Sequence, residues 1–228
     1  KNYEIEKIII LPNFPQIDDI LSENEIIHYW ERKVKNEVLN IVYIGGISKN
    51  RGLDIFIKLS EILPDNILIH LWGKFSNDKE EEKISQNKRI VYHGFIEHKE
   101  IYKELLNYDI GLCLFENTPA YYYYAENTTK LFEYMKAGIP IIVSNFPGLR
   151  KIIEDSQCGF PVDPYDIHGI SNLLLEISTN KKVLEKLGIN GYHAILERFN
   201  WNIYRSKLLD FILMIANPKC EKNIKNEN

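Results

Sequence analysis

The sequence predicts an α/β protein built on a doubly wound, mainly parallel sheet with helices on both faces. The first observation is that short apolar runs alternate along the chain with segments of helical periodicity, which is typical of βα units. The second is that its 228 residues, 45% hydrophobic and 26% charged, suit one large globular domain or a domain with an appendage. In such a fold the ligand is expected beyond the carboxyl ends of the strands, where the βα loops gather.

Seven short apolar segments are the candidate strands. They are residues 7–11, 40–44, 67–72, 89–92, 110–114, 141–143 and 159–162. Apolar residues recur at helical spacing between and after them, as at Leu53, Phe56, Leu59 and Leu63 and at Ile167, Ile170, Leu174 and Ile177. This alternation predicts a sheet whose strands are joined by crossover helices.

Composition and residue spacing exclude several functions. A net charge of -4 gives no general attraction for nucleic acid, and the longest apolar stretches are too short to span a membrane. No signal peptide is visible in the sequence, which begins at Lys1. The six histidines show no metal-ligand spacing, and the three cysteines, Cys113, Cys158 and Cys220, lack the close pairing of a zinc or CxxC motif. We therefore expect reduced thiols, a cytosolic location and no metal site.

The segment 126–140 has the pattern of an anion-binding helix that leads into a buried strand. Gly138 ends the predicted helix, and its first residues are of types that cap helices, namely Asn127, Thr128 and Thr129. Such a helix start offers free N–H groups and a positive dipole end to a phosphate. Lys130 and Glu133, one turn apart, would add a cation for that phosphate and a carboxylate for sugar hydroxyls. The alternative interpretation is a capped surface helix with an ion pair between Lys130 and Glu133.

Three other loops have glycine at or near the end of a predicted strand. The pair Gly45-Gly46 follows the strand at 40–44 and precedes Arg51, which would present a forked cation at a helix entrance. This loop is not a Walker A motif, because the GK[ST] ending is absent. Gly73 follows the strand at 67–72. The third loop offers an apolar pair against which a nucleobase could lie, Phe95 and Ile96.

In their order along the chain, these segments resemble the C-terminal, donor-binding domain of GT-B glycosyltransferases, specifically the large retaining family 4. The resemblance covers nearly the whole chain and implies a Rossmann-like sheet that forms the C-terminal half of a GT-B fold. Residues 43–52 resemble the strand and loop that contact the donor diphosphate, and residues 93–96 resemble the loop beside the nucleobase. Residues 127–140 resemble the helix by which Glu133 would hold the ribose hydroxyls, and residues 147–159 resemble a further family segment.

Two positions depart from the family pattern. The family's paired glutamates, seven residues apart, would place the leading member at Ala125, whereas this chain has Glu126. Glu126 either reaches the donor sugar from a shifted loop or that contact is absent. In the phosphate loop, Gly46 takes the place of an arginine and Arg51 that of a lysine. The diphosphate then has one cation fewer unless another lysine compensates, the candidates being Lys49, Lys74 and Lys130.

The resemblance also divides the chain. Residues 1–38 would hold an interdomain strand and a linker helix, residues 39–216 the nucleotide-sugar-binding domain, and residues 217–228 a polar tail. A helix capped by Asn200 either crosses back toward an N-terminal domain, as in the family, or packs on its own sheet. The run of four tyrosines at 121–124 lies where the family places donor-sugar or acceptor contacts, and we expect a mobile lid there rather than a specific sugar shelf.

The implied reaction is transfer of a hexosyl group from a nucleotide diphosphate sugar to a glycan or lipid-linked acceptor, with retention of configuration and without a divalent metal or other cofactor. The expected catalytic residues are Arg51, Lys130 and Glu133. The expected substrate-binding residues are Gly45, Gly46, Gly73, Phe95, Ile96, Glu126, Asn127, Thr128 and Thr129. The acceptor would bind an N-terminal domain missing from this chain. Such a domain is compatible with peripheral association with the inner face of the membrane and with a role in polysaccharide biosynthesis.

Two alternative functions stay open at this point, a non-catalytic nucleotide-sugar-binding module and a GT-B-like nucleotide-sugar epimerase. The displaced glutamate favours the first of them. A Rossmann dehydrogenase is disfavoured, because no GxGxxG motif follows a first strand with an acidic residue about 20 positions later.

Overall fold

The computed structural model describes residues 8–18, 20–124 and 127–216. Within them, six strands form one sheet. They are, from β1 to β6, Leu39–Ile44, Ile67–Trp72, Ile90–Gly94, Ile110–Cys113, Ile141–Ser144 and Gly159–Val162. All neighbouring strands are parallel, in the order β3-β2-β1-β4-β5-β6. The predicted doubly wound parallel sheet is therefore confirmed.

Ten α-helices connect and cover these strands in the described part of the chain. They are, from α1 to α10, Glu23–Lys33, Leu53–Ile62, Asp78–Glu82, His98–Leu105, Pro119–Tyr124, Thr129–Lys136, Pro147–Ser156, Ile167–Thr179, Lys182–Glu197 and Trp201–Ala216. The central strands β1, β4 and β5 are almost wholly buried, because helices pack on both of their faces. Among the described residues, no helix combines the length and the hydrophobicity that a membrane crossing requires.

The predicted strand at residues 7–11 is wrong for residues 8–11, and Lys7 lies outside the described residues. The sheet ends at β3 and β6, so these four residues have no strand partner within the described chain. Ile8 and Ile10 are 54% and 84% exposed. An apolar run forms a strand only where a partner strand lies next to it, and no described strand lies next to residues 8–11.

Helix α1 is part of the packed body of the protein. Its start is a capping box, in which the Ser22 hydroxyl accepts from the Glu25 N–H and the Glu25 carboxylate accepts from the Ser22 N–H. Ile26 and Trp30 are buried, and the Trp30 indole N–H donates to the Gly138 carbonyl over 2.9 Å. Whether this helix also links two domains stays a prediction.

Helix α10 begins as predicted, since the Asn200 side chain accepts from the Ile203 N–H over 3.2 Å. None of its residues is buried, and its C-terminal half exposes several large apolar side chains, namely Leu209, Ile212, Leu213 and Ile215. The predicted polar tail, residues 217–228, lies outside the described residues.

A buried tyrosine opens the sheet between its two central strands. Strands β1 and β4 pair only at Ile41–Ile110 and Val42–Gly111. Beyond this point the Tyr134 hydroxyl accepts from the Ile44 N–H over 3.0 Å, in place of a ladder bond. Gly111 makes room for the ring, because a Cβ there would lie 2.4 Å from Tyr134. The strand order reverses at this position, so the crevice beyond it is where a doubly wound fold binds its ligand.

Candidate functional site

A cavity of about 320 Å³ lies at the carboxyl ends of β1 and β4. Its lining residues are Ile44, Gly45, Gly46, Arg51, His98, Ile101, Phe115, Tyr121, Thr128, Thr129, Lys130, Glu133 and Tyr134. A second pocket shares five of these residues and extends along the ends of β2 and β3 to Trp72, Gly73, Lys74, Phe95 and Ile96. The two pockets form one groove across the place where the strand order reverses.

Most of the predicted site residues lie in this groove. The first pocket contains Arg51, Lys130, Glu133, Gly45, Gly46, Thr128 and Thr129, and the second contains Gly73, Phe95 and Ile96. Asn127 is exposed and lines neither pocket. Glu126 lies outside the described residues, as does Ala125.

Three glycines bring the main chain of three loops together along the groove. The Gly45 N–H donates to the Trp72 carbonyl over 2.9 Å, and the Gly73 N–H donates to the Gly94 carbonyl over 2.7 Å. All three glycines have positive φ, at +122° for Gly45, +140° for Gly73 and +84° for Gly94. A Cβ on Gly73 would lie only 1.9 Å from the Gly45 carbonyl oxygen. The wall of the groove here is therefore peptide backbone, which can approach a ligand closely.

Arg51 is held at the edge of the cavity by two hydrogen bonds. Its Nε donates to the Tyr121 hydroxyl over 2.9 Å, and its Nη1 donates to the Gly46 carbonyl over 3.3 Å. Gly46 has no side chain to obstruct this approach, since a Cβ would lie 2.4 Å from Nη1. The hydrogen bond that Arg51 donates to Tyr121 raises the pKa of Arg51, so the guanidinium stays charged.

Lys130 places an unpaired ammonium group at the back of the cavity. Its buried Nζ has no hydrogen-bond acceptor among the described residues and lies 3.6 Å from the centroid of the Tyr43 ring. Burial, with a smaller contribution from the charge of Arg51, lowers the pKa of Lys130 to about 7. The Nζ is directed toward the glycine loop, because a Cβ on Gly45 would lie 3.2 Å from it.

The alternative of a surface helix with a Lys130–Glu133 ion pair is therefore wrong. The Lys130 ammonium has no such partner, and α6 buries Leu131, Phe132, Tyr134 and Met135. The side chain of the N-cap residue, Thr128, makes no capping bond. The first-turn N–H groups, which lack partners within the helix, therefore remain available to a ligand in the cavity.

Glu133 is a buried carboxylate in the lining of the cavity. Only 8% of the residue is exposed, and burial raises the pKa of its carboxyl group. The His98 imidazole lies beside it, with Nε2 3.6 Å from Oε1, and the charge of Lys136 partly opposes the rise in the Glu133 pKa. A carboxylate held in this way can accept hydrogen bonds from ligand hydroxyls.

Tyr121, His98 and Phe115 belong to the site but were not predicted as site residues. The tyrosine run at 121–124 is part of helix α5. Within the described residues, only its first member, Tyr121, forms a hydrogen bond with Arg51. His98 begins the helix after the Phe95 and Ile96 loop, a position that could have suggested it. In the part of the chain that the structure describes, no group of three or more His, Cys, Asp or Glu residues is placed to hold a metal ion.

Among curated proteins, the chain is 25% identical over 213 residues to 2-deoxystreptamine N-acetyl-D-glucosaminyltransferase from Niallia circulans, covering 84% of this chain and 53% of that protein. It is also 25% identical over 211 residues to sucrose synthase isoform 2 from Daucus carota, covering 88% of this chain and 24% of that protein. The chain thus spans about half the length of the first relative and a quarter of the second.

Solved structures with the same fold include Anabaena Alr3699/HepE in complex with UDP-glucose, with a TM-score of 0.66 at 15% identity, covering 84% of this chain and 53% of that one. WaaG, a glycosyltransferase involved in lipopolysaccharide biosynthesis, has a TM-score of 0.62 at 20% identity, covering 86% and 54%. The C-terminal domain of the group 1 protein LpcC from Francisella tularensis has a TM-score of 0.58 at 21% identity, covering 82% and 96%.

These likenesses confirm the predicted Rossmann-like fold of GT-B glycosyltransferases. The family model described as glycosyl transferases group 1 matches residues 27–194, which is well over half of the chain. The chain therefore belongs to the glycosyl transferases group 1 family.

Proposed function

We propose that the chain is the C-terminal, donor-binding domain of a retaining glycosyltransferase that uses a nucleoside diphosphate sugar. The observation that carries this proposal is the unpaired, buried ammonium of Lys130 in a cavity walled by glycine backbone. A buried cation without an acceptor is costly unless a ligand supplies the negative charge. A diphosphate has that charge, and the start of α6 and Arg51 face the same cavity.

The remaining features of the groove match the other parts of such a donor. Glu133 would accept hydrogen bonds from the ribose hydroxyls, and Phe95 and Ile96 would lie against the nucleobase. We select a uridine nucleotide as the first candidate ligand because the structurally similar Anabaena protein was solved in complex with UDP-glucose.

The chemical step would rest on electrostatic stabilisation of the leaving group. As the bond between the sugar C1 and the phosphate oxygen breaks, negative charge grows on the terminal phosphate of the nucleotide. Lys130, Arg51 and the N–H groups at the start of α6 would stabilise that charge. Removing one such donor lowers kcat by roughly 10²–10³ in other enzymes, and we expect a loss of this order for Lys130→Ala in the complete protein. Retention of configuration and transfer without a metal ion are part of the same proposal.

The acceptor would bind a second, N-terminal domain, in keeping with the half-length match to the Niallia circulans relative. We propose a glycan or lipid-linked acceptor, and any membrane association would involve that domain. A cytoplasmic location and a role in polysaccharide biosynthesis stay predictions.

Calorimetric titration of the chain with UDP, GDP and NAD tests the proposed donor site. We expect a nucleoside diphosphate to bind and NAD not to bind, with binding weakened but still measurable in Arg51→Ala and Glu133→Ala. Arg150→Ala and Glu154→Ala are matched controls, because these two residues form an exposed ion pair on α7 away from the groove. Binding of neither diphosphate, or equal losses in the control variants, would contradict the proposal.

A non-catalytic nucleotide-sugar-binding module is the second candidate, because Ala125 occupies the position of the family's leading glutamate. Both candidates predict donor binding by this chain. They differ in the complete protein, where only a transferase would release UDP from a nucleotide sugar in the presence of its acceptor. An epimerase would instead convert the nucleotide sugar without an acceptor, which analysis of the recovered sugar would detect.

A further inference from the structure

We propose that Tyr121 is a positioning residue that holds Arg51 ready for the donor diphosphate, an inference that rests on the proposed function. The Tyr121 hydroxyl accepts from Arg51 Nε over 2.9 Å, while the Gly46 carbonyl accepts from Nη1 over 3.3 Å. These two bonds fix one side of the guanidinium. The Nη2 group makes no hydrogen bond to the described residues, so its two N–H donors remain for a ligand.

Tyr121 is itself fixed by the core of the protein. Its ring stacks on Phe115 with the ring centroids 4.5 Å apart and an interplanar angle of 2°. Phe115 is 1% exposed and is bound on both sides of its peptide by Ser144, whose hydroxyl accepts from the Phe115 N–H over 2.7 Å and donates to its carbonyl over 3.0 Å. The position of the phenol is therefore set from the ends of β4 and β5.

This contact crosses the place where the strand order reverses. Arg51 follows β1, whereas Tyr121 and Phe115 follow β4, so the two loops that border the cavity are joined by one hydrogen bond. An arginine side chain has many rotamers, and a ligand that had to order it would bind more weakly. Tyr121 supplies that order before the donor arrives.

The chemistry of the hydrogen-bond acceptor, the Tyr121 hydroxyl, supports this positioning role. A hydroxyl oxygen is neutral, so it orients the guanidinium without cancelling the charge that a diphosphate needs. An aspartate or glutamate at the same place would orient Arg51 and also compete with the ligand as an anion. The other tyrosines of the run differ in this respect, since Tyr123 and Tyr124 are 65% and 67% exposed and contact each other rather than Arg51.

The substitution Tyr121→Phe tests the inference, because it removes the hydroxyl and retains the ring on Phe115. We expect UDP to bind about 3–10-fold more weakly to this variant, the effect of one lost hydrogen bond. Tyr123→Phe is the matched control and should bind UDP like the wild type. Thermal unfolding of each variant verifies that the fold is retained.

A double-mutant cycle with Arg51→Ala separates positioning from direct contact. If Tyr121 acts through Arg51, Tyr121→Phe has no further effect on UDP affinity once Arg51 is alanine. An equal loss in both backgrounds would mean that Tyr121 contacts the nucleotide directly, and no loss in the wild-type background would mean that Arg51 needs no positioning. Either result overturns the inference.

The proposed function and this inference fail in different ways. If the wild-type chain binds neither UDP nor GDP, the proposed function fails and the positioning role fails with it. If the wild type binds UDP and Arg51→Ala weakens binding while Tyr121→Phe does not, only the positioning role fails.

Discussion

Lys130 carries a free-energy cost in the folded chain that the proposed diphosphate would relieve. Leaving a buried donor without an acceptor costs about 1–3 kcal/mol. The face of the Tyr43 ring, 3.6 Å from Nζ, offsets part of this cost by a cation–π interaction. The ring is fixed because its hydroxyl donates to the Gly46 carbonyl over 2.7 Å. The Tyr43 ring therefore holds the lysine at the cavity even though its amine lacks a hydrogen-bond acceptor among the described residues.

The lowered pKa of Lys130 predicts that UDP binding weakens as the pH rises above about 7. Only the protonated amine attracts the diphosphate, so above its pKa the free protein must take up a proton on binding. The affinity should fall by up to about tenfold per pH unit. Calorimetry between about pH 7.5 and 9 measures this, a range in which the terminal phosphate of UDP, with a pKa of about 6, is already ionised.

Lys130→Arg is the control for this pH dependence, because arginine stays charged throughout the range. Where the variant binds UDP, its affinity should not fall with pH. A parallel decline in both proteins would show that a different group titrates.

The position of Glu133 predicts that nucleotide affinity depends on the ribose hydroxyls. If its carboxylate accepts from them, 2′-deoxy-UDP should bind the wild type about 10-fold or more weakly than UDP does, since hydrogen bonds to charged groups contribute about 1.5–3 kcal/mol. Glu133→Gln should weaken UDP binding and reduce the discrimination between the two nucleotides. Undiminished discrimination by the variant would assign the ribose contact to another residue.

At the scale of elements, the groove depends on loops that fit against one another through glycine. Gly73 and Gly94 both have positive φ, but their surroundings differ. A Cβ on Gly73 meets the Gly45 carbonyl, whereas a Cβ on Gly94 meets no atom within 4 Å. A substitution at Gly94 therefore measures the free-energy cost of the backbone conformation alone, whereas one at Gly73 adds the cost of a steric clash.

We expect Gly94→Ala to lower the free energy of unfolding by about 1–2 kcal/mol, the cost of a left-handed conformation for a residue with a Cβ. Gly73→Ala should cost at least about 3 kcal/mol, because a steric clash with backbone is added to that strain. Urea unfolding of the two variants measures the difference. Equal losses at both positions would mean that the Gly45 and Gly73 loops separate readily.

At the scale of the whole molecule, the proposed function assigns this chain the donor side of the reaction. The groove contains candidate groups for the diphosphate, the ribose and the base, and the chain spans 53% of its Niallia circulans relative. We expect the isolated chain to bind a nucleotide sugar but to transfer sugar far more slowly than the complete protein. Release of UDP in the presence of acceptor is the measurement, and comparable rates for the two proteins would contradict a separate acceptor domain.

Local sequence patterns predicted seven strands, of which six are observed, and most of the groove, because apolar runs and strand-end glycines act within a few residues of one another. The local patterns failed where two interacting residues are far apart in the sequence. The hydrogen bond between Arg51 and Tyr121 joins residues 70 positions apart, and no periodicity indicates it. Helical spacing suggested that Lys130 pairs with Glu133, whereas the packing of α6 turns the lysine toward the Tyr43 ring. The apolar run at 8–11 likewise depended on a neighbouring strand that the described chain does not supply.

The backbone wall formed by Gly45, Gly46 and Gly73 would also limit how the proposed donor site can acquire a new preference. Backbone N–H and C=O groups are the same for every residue type. Substitutions therefore cannot change the chemistry of this wall without disrupting the turns that form it. Selectivity would therefore evolve at the positions of the groove that carry side chains, among them Phe95, Ile96 and His98. A library of variants aimed at altered nucleotide use would be most productive at those three positions, with the glycines left unchanged.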